Sequence, residues 1–368
     1  MFLQSLKLSN FKNYQSEEVD FCDHINCFVG LNGSGKTNIL DAIYYLSLTK
    51  SAFNSIDSQN IRHGESFFAV KGNFLLKERE RLVHCSLKSQ EKKLFKVDGQ
   101  EYEKLSQHIG QFPVVMIAPN DDELIRESNE VRRKFFDSII SQYDQEYLSW
   151  LIKYNHHLKQ RNALLKTFKE SRRFDDTLLT NYDHTLIHVG KLIAGRRQAF
   201  IQEYQPYFQR NYHMISEDRE QVQITYNSKG LASDFEAQFN KSRERDMVML
   251  RTLVGVHRDE YLFSINGQAL KKYGSQGQQK SSLISLKLAQ FEFVKDHLSI
   301  TPILLLDDIF DKLDDHRIKK MLEIIASDRF KQIFITDARE ERTRSLLQNQ
   351  FDPLKIFKVE DGTIGNLD

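Results

Sequence analysis

Eight consecutive residues, 30 to 37, have the types and spacing of a loop that binds nucleotide phosphates. They read Gly-Leu-Asn-Gly-Ser-Gly-Lys-Thr and match G-x-x-x-x-G-K-[ST] at every fixed position. Backbone N–H groups would surround the phosphates, while the Lys36 ammonium reaches the β- and γ-phosphates and the Thr37 hydroxyl binds Mg²⁺. A chance glycine-rich turn is disfavoured because the lysine and the hydroxyl are both present. The predicted nucleotide-binding residues are Gly30, Asn32, Gly33, Ser34, Gly35, Lys36 and Thr37.

Two adjacent carboxylates follow an apolar run at residues 302 to 306, which reads as a buried parallel strand. A triphosphate brings Mg²⁺, which prefers oxygen ligands and keeps few protein ligands. Asp307 is therefore predicted to bind Mg²⁺ together with Thr37. Asp308 is predicted to orient or deprotonate the attacking water as the catalytic base. Alone, such a pair could be a helix cap or a turn, but the phosphate loop favours the nucleotide site.

A third polar segment, Tyr-Gly-Ser-Gln-Gly-Gln-Gln-Lys at residues 273 to 280, opens a predicted helix. A glycine-rich turn at a helix N-terminus is a second place where a phosphate could bind. One nucleotide has a single γ-phosphate, so this segment is predicted to contact the nucleotide of a second copy. The predicted contact residues are Ser275, Gln276, Gly277 and Gln278. The alternative is an ordinary capped helix start.

The surrounding elements must hold these groups at defined positions. Residues 25 to 29 form an apolar run of strand character, and Ile39, Ile43 and Leu46 recur at helical spacing, so the loop lies between a strand and a helix. Residues 1 to 119 read as the first lobe of an α/β head with an antiparallel side sheet. Residues 120 to 250 predict an inserted arm of two long helices. Residues 251 to 368 complete the head as its second lobe.

The tip of the predicted arm is basic. Its cations are Lys159, Arg161, Lys166, Lys169, Arg172 and Arg173. A run of charge is often only a solvated face, and DNA binding is the alternative. The DNA-binding candidates on the arm are Lys166, Lys169, Arg172 and Arg173, and lysines and arginines of the head are the other candidates.

Composition narrows the class of protein. The chain has 368 residues, a formal net charge of +1 and three cysteines. The cysteines form no C-x-x-C pair, which favours a reducing, cytoplasmic compartment and disfavours a zinc site. No apolar run of membrane-spanning length is present, so no membrane partner is expected. Because the charges nearly balance, any nucleic-acid surface must be a local patch.

These motifs, in this order, resemble the ABC-type ATPase heads of the SMC class. Four further segments are similar to the RecF family of bacterial recombination mediators. They are residues 8 to 14 (Leu-Ser-Asn-Phe-Lys-Asn-Tyr), 132 to 137 (Arg-Arg-Lys-Phe-Phe-Asp), 255 to 260 (Gly-Val-His-Arg-Asp-Glu) and 275 to 279 (Ser-Gln-Gly-Gln-Gln). The resemblance covers essentially the whole chain and implies an α/β fold, an ABC-type P-loop ATPase head of two lobes with an inserted helical-hairpin arm.

The resemblance also implies a cytoplasmic, weakly hydrolysing, DNA-dependent ATPase that uses ATP and Mg²⁺. Such a protein would form an ATP-dependent homodimer, bind duplex or gapped DNA, and work with RecR and RecO to place RecA on single strands. Lys12 and Asn13 are the predicted adenine contacts. The residues of the D-loop, a segment that crosses the dimer, would be Asp311, Leu313 and Asp314.

Several positions depart from the family pattern. Val256 stands where a proline is usual, and Asp311 stands where the D-loop pattern S-x-L-D has serine. Phe53 stands where a basic residue is expected, and residues 335 to 337 contain no histidine for the switch position. Contact across the dimer, adenine binding and γ-phosphate sensing are therefore the properties in which this chain is expected to differ.

Two other classes of protein use a related head. An ATPase subunit of a membrane transporter is disfavoured because residues 120 to 250 are far longer than the helical subdomain of such subunits. A chromosome-organising or zinc-hook ATPase is disfavoured because a long coiled coil and an apical C-x-x-C are missing. DNA binding with and without ATP would separate the DNA-repair ATPase from the transporter subunit.

Overall fold

The structure, a computed structural model, describes residues 1–216, 220–312, 315–327, 329–348 and 350–367. The strands are β1 (Phe2–Phe11), β2 (Tyr14–Asp20), β3 (Ile25–Val29), β4 (Phe67–Leu76), β5 (Arg79–Lys88), β6 (Leu94–Val97), β7 (Gln100–Glu101), β8 (Val114–Ile117), β9 (Val222–Asn227), β10 (Glu260–Ile265), β11 (Gln268–Ala269), β12 (Ile303–Leu306), β13 (Ile333–Asp337), β14 (Leu354–Glu360) and β15 (Thr363–Asn366). The helices are α1 (Lys36–Leu48), α2 (Glu123–Arg126), α3 (Asn129–Tyr143), α4 (Gln145–Ser171), α5 (Asp176–Ser216), α6 (Phe235–Lys241), α7 (Arg243–Met249), α8 (Leu270–Tyr273), α9 (Gln276–Leu298), α10 (Asp315–Ile325) and α11 (Glu340–Leu347).

The chain divides into two compact units, Met1–Asp121 with Leu286–Asp368, and Asp122–Ser285. The first division lies close to the predicted limit at residue 119. The second lies within α9, whereas we predicted the arm to end at residue 250. The difference arises because β10 pairs with β9 along its whole length, which keeps the β10–β11 hairpin in the unit of the helical arm.

The first unit contains a central sheet with the order β15-β14-β3-β13-β12-β8. All of these strands pair in parallel except β15, which is antiparallel to β14. Every residue of β3, β12 and β13 is buried, as expected for parallel strands covered on both faces. Because β3, β13 and β12 are parallel neighbours, the residues that follow these three strands lie at the same edge of the sheet.

A second, antiparallel sheet of the first unit has the order β2-β1-β4-β5-β6-β7, and we call it the side sheet. Its strands alternate between buried and exposed side chains, so one face belongs to the core. Leu6, Leu8, Val70 and Phe74 lie on that face, in one hydrophobic cluster with Ile43 of α1. The predicted antiparallel side sheet is therefore present.

The second unit contains the helical arm and a small sheet with the order β11-β10-β9. The first predicted arm helix is interrupted, because Asp144 has an extended backbone and its carboxylate accepts a hydrogen bond from the Tyr147 N–H (2.9 Å), which starts α4. The second arm helix, α5, continues through Pro206 to Ser216. Two short helices, α6 and α7, follow β9.

Within the part of the chain that the structure describes, no helix is long and apolar enough to cross a membrane.

Candidate functional site

The phosphate loop connects β3 to α1, as its sequence predicts. The Lys36 ammonium is buried and donates to the carbonyl oxygens of Gly30 (2.8 Å) and Leu31 (3.1 Å). A Cβ at Gly30 would lie 2.3 Å from the Val359 carbonyl oxygen, so glycine is required there. Because a hydrogen bond between an ammonium and an anionic oxygen is stronger than one from the ammonium to a neutral carbonyl, a phosphate oxygen can draw Lys36 away from the loop carbonyls.

Three groups outside the loop hold its carbonyl oxygens. The Asn13 side-chain amide donates to the Ser34 carbonyl oxygen (2.9 Å), and the Gly362 N–H reaches the same oxygen (3.2 Å). The Tyr14 hydroxyl donates to the Gly35 carbonyl oxygen (3.0 Å). The C=O and N–H of a trans peptide point in opposite directions, so anchoring these carbonyls turns the following N–H groups away from the anchors, toward the side where phosphate would bind.

The anchors also explain why residue 35 is a glycine. Its φ is +121°, in a region that side chains rarely adopt, and an added Cβ would lie 2.4 Å from the Asn13 amide nitrogen. Asn13 is itself held, because the Asn38 amide donates to its Oδ1 (2.7 Å). The loop, the β1–β2 turn and α1 therefore form one hydrogen-bonded assembly within the first unit.

Thr37 and Asp307, far apart in sequence, lie side by side. The Thr37 hydroxyl is 2.8 Å from Asp307 Oδ1 and 3.1 Å from Oδ2. The Thr336 hydroxyl, at the end of β13, also donates to Asp307 Oδ1 (2.8 Å). A hydroxyl and a carboxylate at this spacing offer oxygen ligands of the kind that Mg²⁺ prefers.

Burial raises the pKa of the Asp307 carboxyl above its ordinary value, while the hydrogen bonds from Thr336 and Thr37 lower it. The neighbouring Asp308 charge raises this pKa further, and the Lys36 ammonium lowers it. Desolvation disfavours an anion here, so a bound cation would stabilise the ionised carboxylate.

Asp308 follows Asp307 with a φ of 43°, a left-handed conformation that turns the chain sharply after β12. Its N–H donates to the Thr336 hydroxyl (2.9 Å), so this hydroxyl bridges the two aspartates. The base role of Asp308 stays a prediction.

Ser275, in the second unit, immediately precedes α9 and is exposed. The Gln278 N–H donates to the Ser275 hydroxyl (3.2 Å), and the Ser275 N–H donates to Gln278 Oε1 (2.6 Å). This reciprocal pair is a capping box, so the ordinary capped start is present. A ligand also has room here, because Ser275 and Gln276 are exposed at the N-terminus of this 23-residue helix. The contact with a second copy stays a prediction.

Lys12 is held beside the loop assembly. Its ammonium lies 2.5 Å from the buried Asp41 carboxylate and 5.4 Å from the centre of the Phe53 ring. Phe53, which replaces the expected basic residue, therefore offers this ammonium an aromatic face. The adenine contacts predicted for Lys12 and Asn13 remain predictions.

One member of the basic arm tip is not available to a ligand. Arg161 is fully buried and donates to Asp183 (2.5 Å) and Asp246 (2.8 Å), so it stabilises the second unit. The inclusion of Arg161 in an exposed tip was wrong, because sequence spacing does not reveal which face of a helix is buried. The candidates Lys166, Lys169, Arg172 and Arg173 are exposed.

Two of the family-specific segments are structural. Arg132 is buried and donates to the carbonyl oxygens of Leu124, Ile125 and Tyr261. His257 contacts the Tyr154 hydroxyl (2.9 Å) and the Thr252 carbonyl (3.0 Å), and burial lowers its pKa to about 4. These residues organise the second unit.

The D-loop prediction lies largely outside the described residues. Leu313 and Asp314 are not among them, and the side chain of Asp311 is not described.

Several functional positions were missed in the sequence. Thr336 bridges the two aspartates, and Tyr14, Asn38 and Gly362 support the phosphate loop. Asn38 follows the loop directly and Tyr14 belongs to a family-specific segment, so both carried a sequence signal. Thr336 and Gly362 carried none, because their roles depend on strand order and on the β14–β15 turn.

Comparisons with known proteins agree with this geometry. A family model described as RecF/RecN/SMC N terminal domain matches residues 2–364. The chain is 45% identical over 366 residues to the DNA replication and repair protein RecF of Phocaeicola vulgatus, covering 99% of this chain and 98% of that protein. It is also 45% identical over 359 residues to the protein of the same description from Flavobacterium johnsoniae, covering 98% of this chain and 100% of that protein.

Solved structures have the same fold. The recombination mediator protein RecF-ATPrS in the RecFOR pathway aligns with a TM-score of 0.90 and 30% identity, covering 100% of this chain and 98% of that chain. An Smc head domain from Pyrococcus furiosus aligns with a TM-score of 0.58 and 16% identity, which is a likeness of fold alone. The architecture is that of a RecF- and SMC-head-like ABC ATPase. The chain belongs to the RecF family.

Proposed function

We propose that this protein is an ATPase of recombinational repair that binds ATP with Mg²⁺, forms a homodimer on ATP and binds duplex or gapped DNA. One observation carries the nucleotide site: Thr37, next to Lys36, lies 2.8 Å from Asp307 at the end of a different strand. Two solved RecF structures, described as RecF-ATPrS and RecF-ATP, support ATP as the nucleotide.

The chain's own groups suit this nucleotide. Lys36 would move from the loop carbonyls to the β- and γ-phosphates, and the loop N–H groups would hold the same phosphates. Ser34 fits such a ligand, because its hydroxyl oxygen is buried without a hydrogen-bond partner among the described residues. Thr37 and Asp307 would hold Mg²⁺, which would supply positive charge to the phosphate oxygens as the bond to the leaving group breaks. Asp308 would accept a proton from the attacking water.

Dimerisation would place Ser275, Gln276, Gly277 and Gln278 of one copy on the γ-phosphate held by the other copy. A ligand that bridges two copies shifts the monomer–dimer equilibrium only if it binds the dimer more tightly. ADP lacks the group that the partner would contact, so ATP and not ADP should drive association. Hydrolysis then returns the dimer to monomers, and slow turnover would give the dimer a long lifetime.

The RecFOR pathway named for the solved relatives supports a shared role with RecR and RecO. In this proposal the protein acts in the cytoplasm and helps to place RecA on single strands. DNA would bind cations of the head or the arm candidates Lys166, Lys169, Arg172 and Arg173. Because phosphate contacts carry no base information, binding should depend on DNA shape and salt and little on sequence.

The test is duplex DNA binding, measured by fluorescence anisotropy with ATP, with ADP and without nucleotide. The expected result is tight binding only with ATP, and loss of that binding in Lys36→Ala, which also loses ATP affinity. Lys134→Ala is the control, because Lys134 is an exposed lysine of α3 whose ion pair is with Glu130 of the same helix. Duplex binding that is equally tight in all three nucleotide conditions would refute ATP control.

A further inference from the structure

The exposed face of the side sheet carries a row of basic side chains that crosses four neighbouring strands. Lys7 of β1 is directly opposite Lys71 of β4, which is opposite His84 of β5, which is opposite Lys96 of β6. Directly opposed residues of antiparallel strands point to the same face. We call these four residues the cation row. Their chain neighbours on the same strands are buried, so the row lies on the face turned away from the core.

Few carboxylates neutralise this row. Lys7 pairs with Glu18 of β2 (2.7 Å), which is the carboxylate at one end. Glu101 of β7 is opposite Lys96 at the other end, although the two side chains form no ion pair within 4.0 Å. Among the residues that the structure describes, Lys71 and Lys96 have no ion-pair partner. Two unpaired lysines therefore flank His84 at the centre of the row.

Such a row costs folding stability, because like charges directly opposite each other on a sheet repel. Burial lowers the pKa of His84, and the charges of Lys71 and Lys96 lower it further, so the lysines favour the neutral imidazole and supply the positive charge of the row themselves. A sheet needs no cations at these positions to cover its core, since the buried face already supplies the packing. An anionic ligand would remove the repulsion.

The row matches an extended anion. Neighbouring strands lie about 4.8 Å apart, so four strands span about 14 Å. Duplex DNA carries one negative charge per about 1.7 Å of its axis, so this length faces several phosphates. In one direction along the exposed face the next residues of β1, β4 and β5 are small: Ser9, Ala69 and Ser86, which are also directly opposed. A rigid backbone can therefore approach the lysines closely.

We propose that the cation row, Lys7, Lys71, His84 and Lys96, is a DNA-backbone contact of the head that binds the phosphates of duplex DNA. This contact rests on the proposed function, because it assumes that the protein binds duplex DNA when ATP is present. It assigns that binding to a preformed sheet face and not to the arm tip. The lysines recognise charge and spacing, so base sequence is not read there.

The test compares Lys71→Gln/Lys96→Gln with a matched control, Lys319→Gln/Lys331→Gln, which removes the same charge at exposed sites outside the side sheet. Anisotropy with a duplex is measured with ATP across a salt series. Each lost phosphate contact lowers the slope of log affinity against log salt by about 0.9, so two contacts lower it by about 1.8. With affinities taken as equal at 1 M salt, where such contacts are screened, that change in slope corresponds to about 60-fold weaker binding at 0.1 M salt. The control should keep the wild-type slope.

Two further measurements separate binding from folding. Affinity for a fluorescent ATP analogue should be unchanged in Lys71→Gln/Lys96→Gln. Its thermal midpoint should equal or exceed that of the wild type, because like-charge repulsion is relieved. A lower thermal midpoint together with weaker DNA binding would give the lysines a structural role and overturn the proposal.

The remaining outcomes distinguish this proposal from the function on which it rests. If wild-type protein binds the duplex with ATP and the double variant keeps the same slope, the cation row is not the contact, while ATP-dependent DNA binding stands. The arm variant is Lys166→Gln/Lys169→Gln/Arg172→Gln/Arg173→Gln. If only this variant has a smaller slope of log affinity against log salt than wild type, the contact is on the arm and the row is again excluded. If wild-type protein binds no duplex at all, both proposals fail.

Discussion

Asn13 offers a direct test of how the phosphate loop is held. Its amide joins the Ser34 carbonyl oxygen (2.9 Å) to Asn38 (2.7 Å), so Asn13→Ala removes two hydrogen bonds from the loop assembly. A net hydrogen bond contributes about 0.5–1.5 kcal/mol, so the two together contribute about 1–3 kcal/mol. If this free energy orders the loop for binding, the nucleotide dissociation constant should rise about 5- to 150-fold.

The assay is the dissociation constant of a fluorescent nucleotide in the presence of Mg²⁺, measured for both ATP and GTP analogues. A loop anchor acts on the phosphates, so both nucleotides should weaken by the same factor in Asn13→Ala. Tyr14→Phe removes the single bond to the Gly35 carbonyl oxygen and should weaken both by about 2- to 12-fold. Asn181→Ala, at an exposed position of α5, should change neither constant.

The opposite pattern would refute the anchor. If Asn13→Ala weakens ATP but leaves GTP affinity unchanged, the side chain contacts the adenine, as the family resemblance implies. If neither constant changes, the loop keeps its order without Asn13, and the remaining bond from the Gly362 N–H is sufficient.

Three other predictions concern hydrolysis, association and pH. Asp308→Asn should bind ATP with normal affinity, hydrolyse it slowly and accumulate as a dimer, and full turnover in a phosphate-release assay would exclude Asp308 as the base. Ser275→Arg should remain monomeric with ATP in sedimentation velocity under conditions in which wild type forms a heavier species; a wild type that stays monomeric at micromolar concentration would contradict the partner contact. Burial lowers the pKa of His108 and of His257 to about 4, so the unfolded chain binds more protons between about pH 6.5 and pH 4, and the free energy of unfolding should fall as the pH falls through that range. Each histidine should contribute at most about 2 kcal/mol of this loss between pH 8 and pH 5, measured by chemical denaturation, and an unchanged unfolding free energy would show that both imidazoles are protonated without cost.

The sequence determined the local parts of this protein. The phosphate loop was predictable because its function requires fixed residue types over eight consecutive positions, and the flanking strand and helix were visible as hydrophobic periodicity. The strand before Asp307 was predicted for the same reason, since it is encoded by neighbouring residues. The resemblance of whole segments then indicated the RecF family, which the comparisons confirm.

Tertiary structure decided which distant residues meet. The parallel order β3-β13-β12 brings Thr336 between the two aspartates, and the β14–β15 turn brings Gly362 to the phosphate loop. Long-range pairing of this kind has no local signal, because strand order depends on the whole sheet. The helical arm had a regular period, yet only packing decided that Arg161 is buried against two carboxylates. The cation row arises in the same way: strand register aligns Lys7, Lys71, His84 and Lys96, although they lie far apart in the sequence.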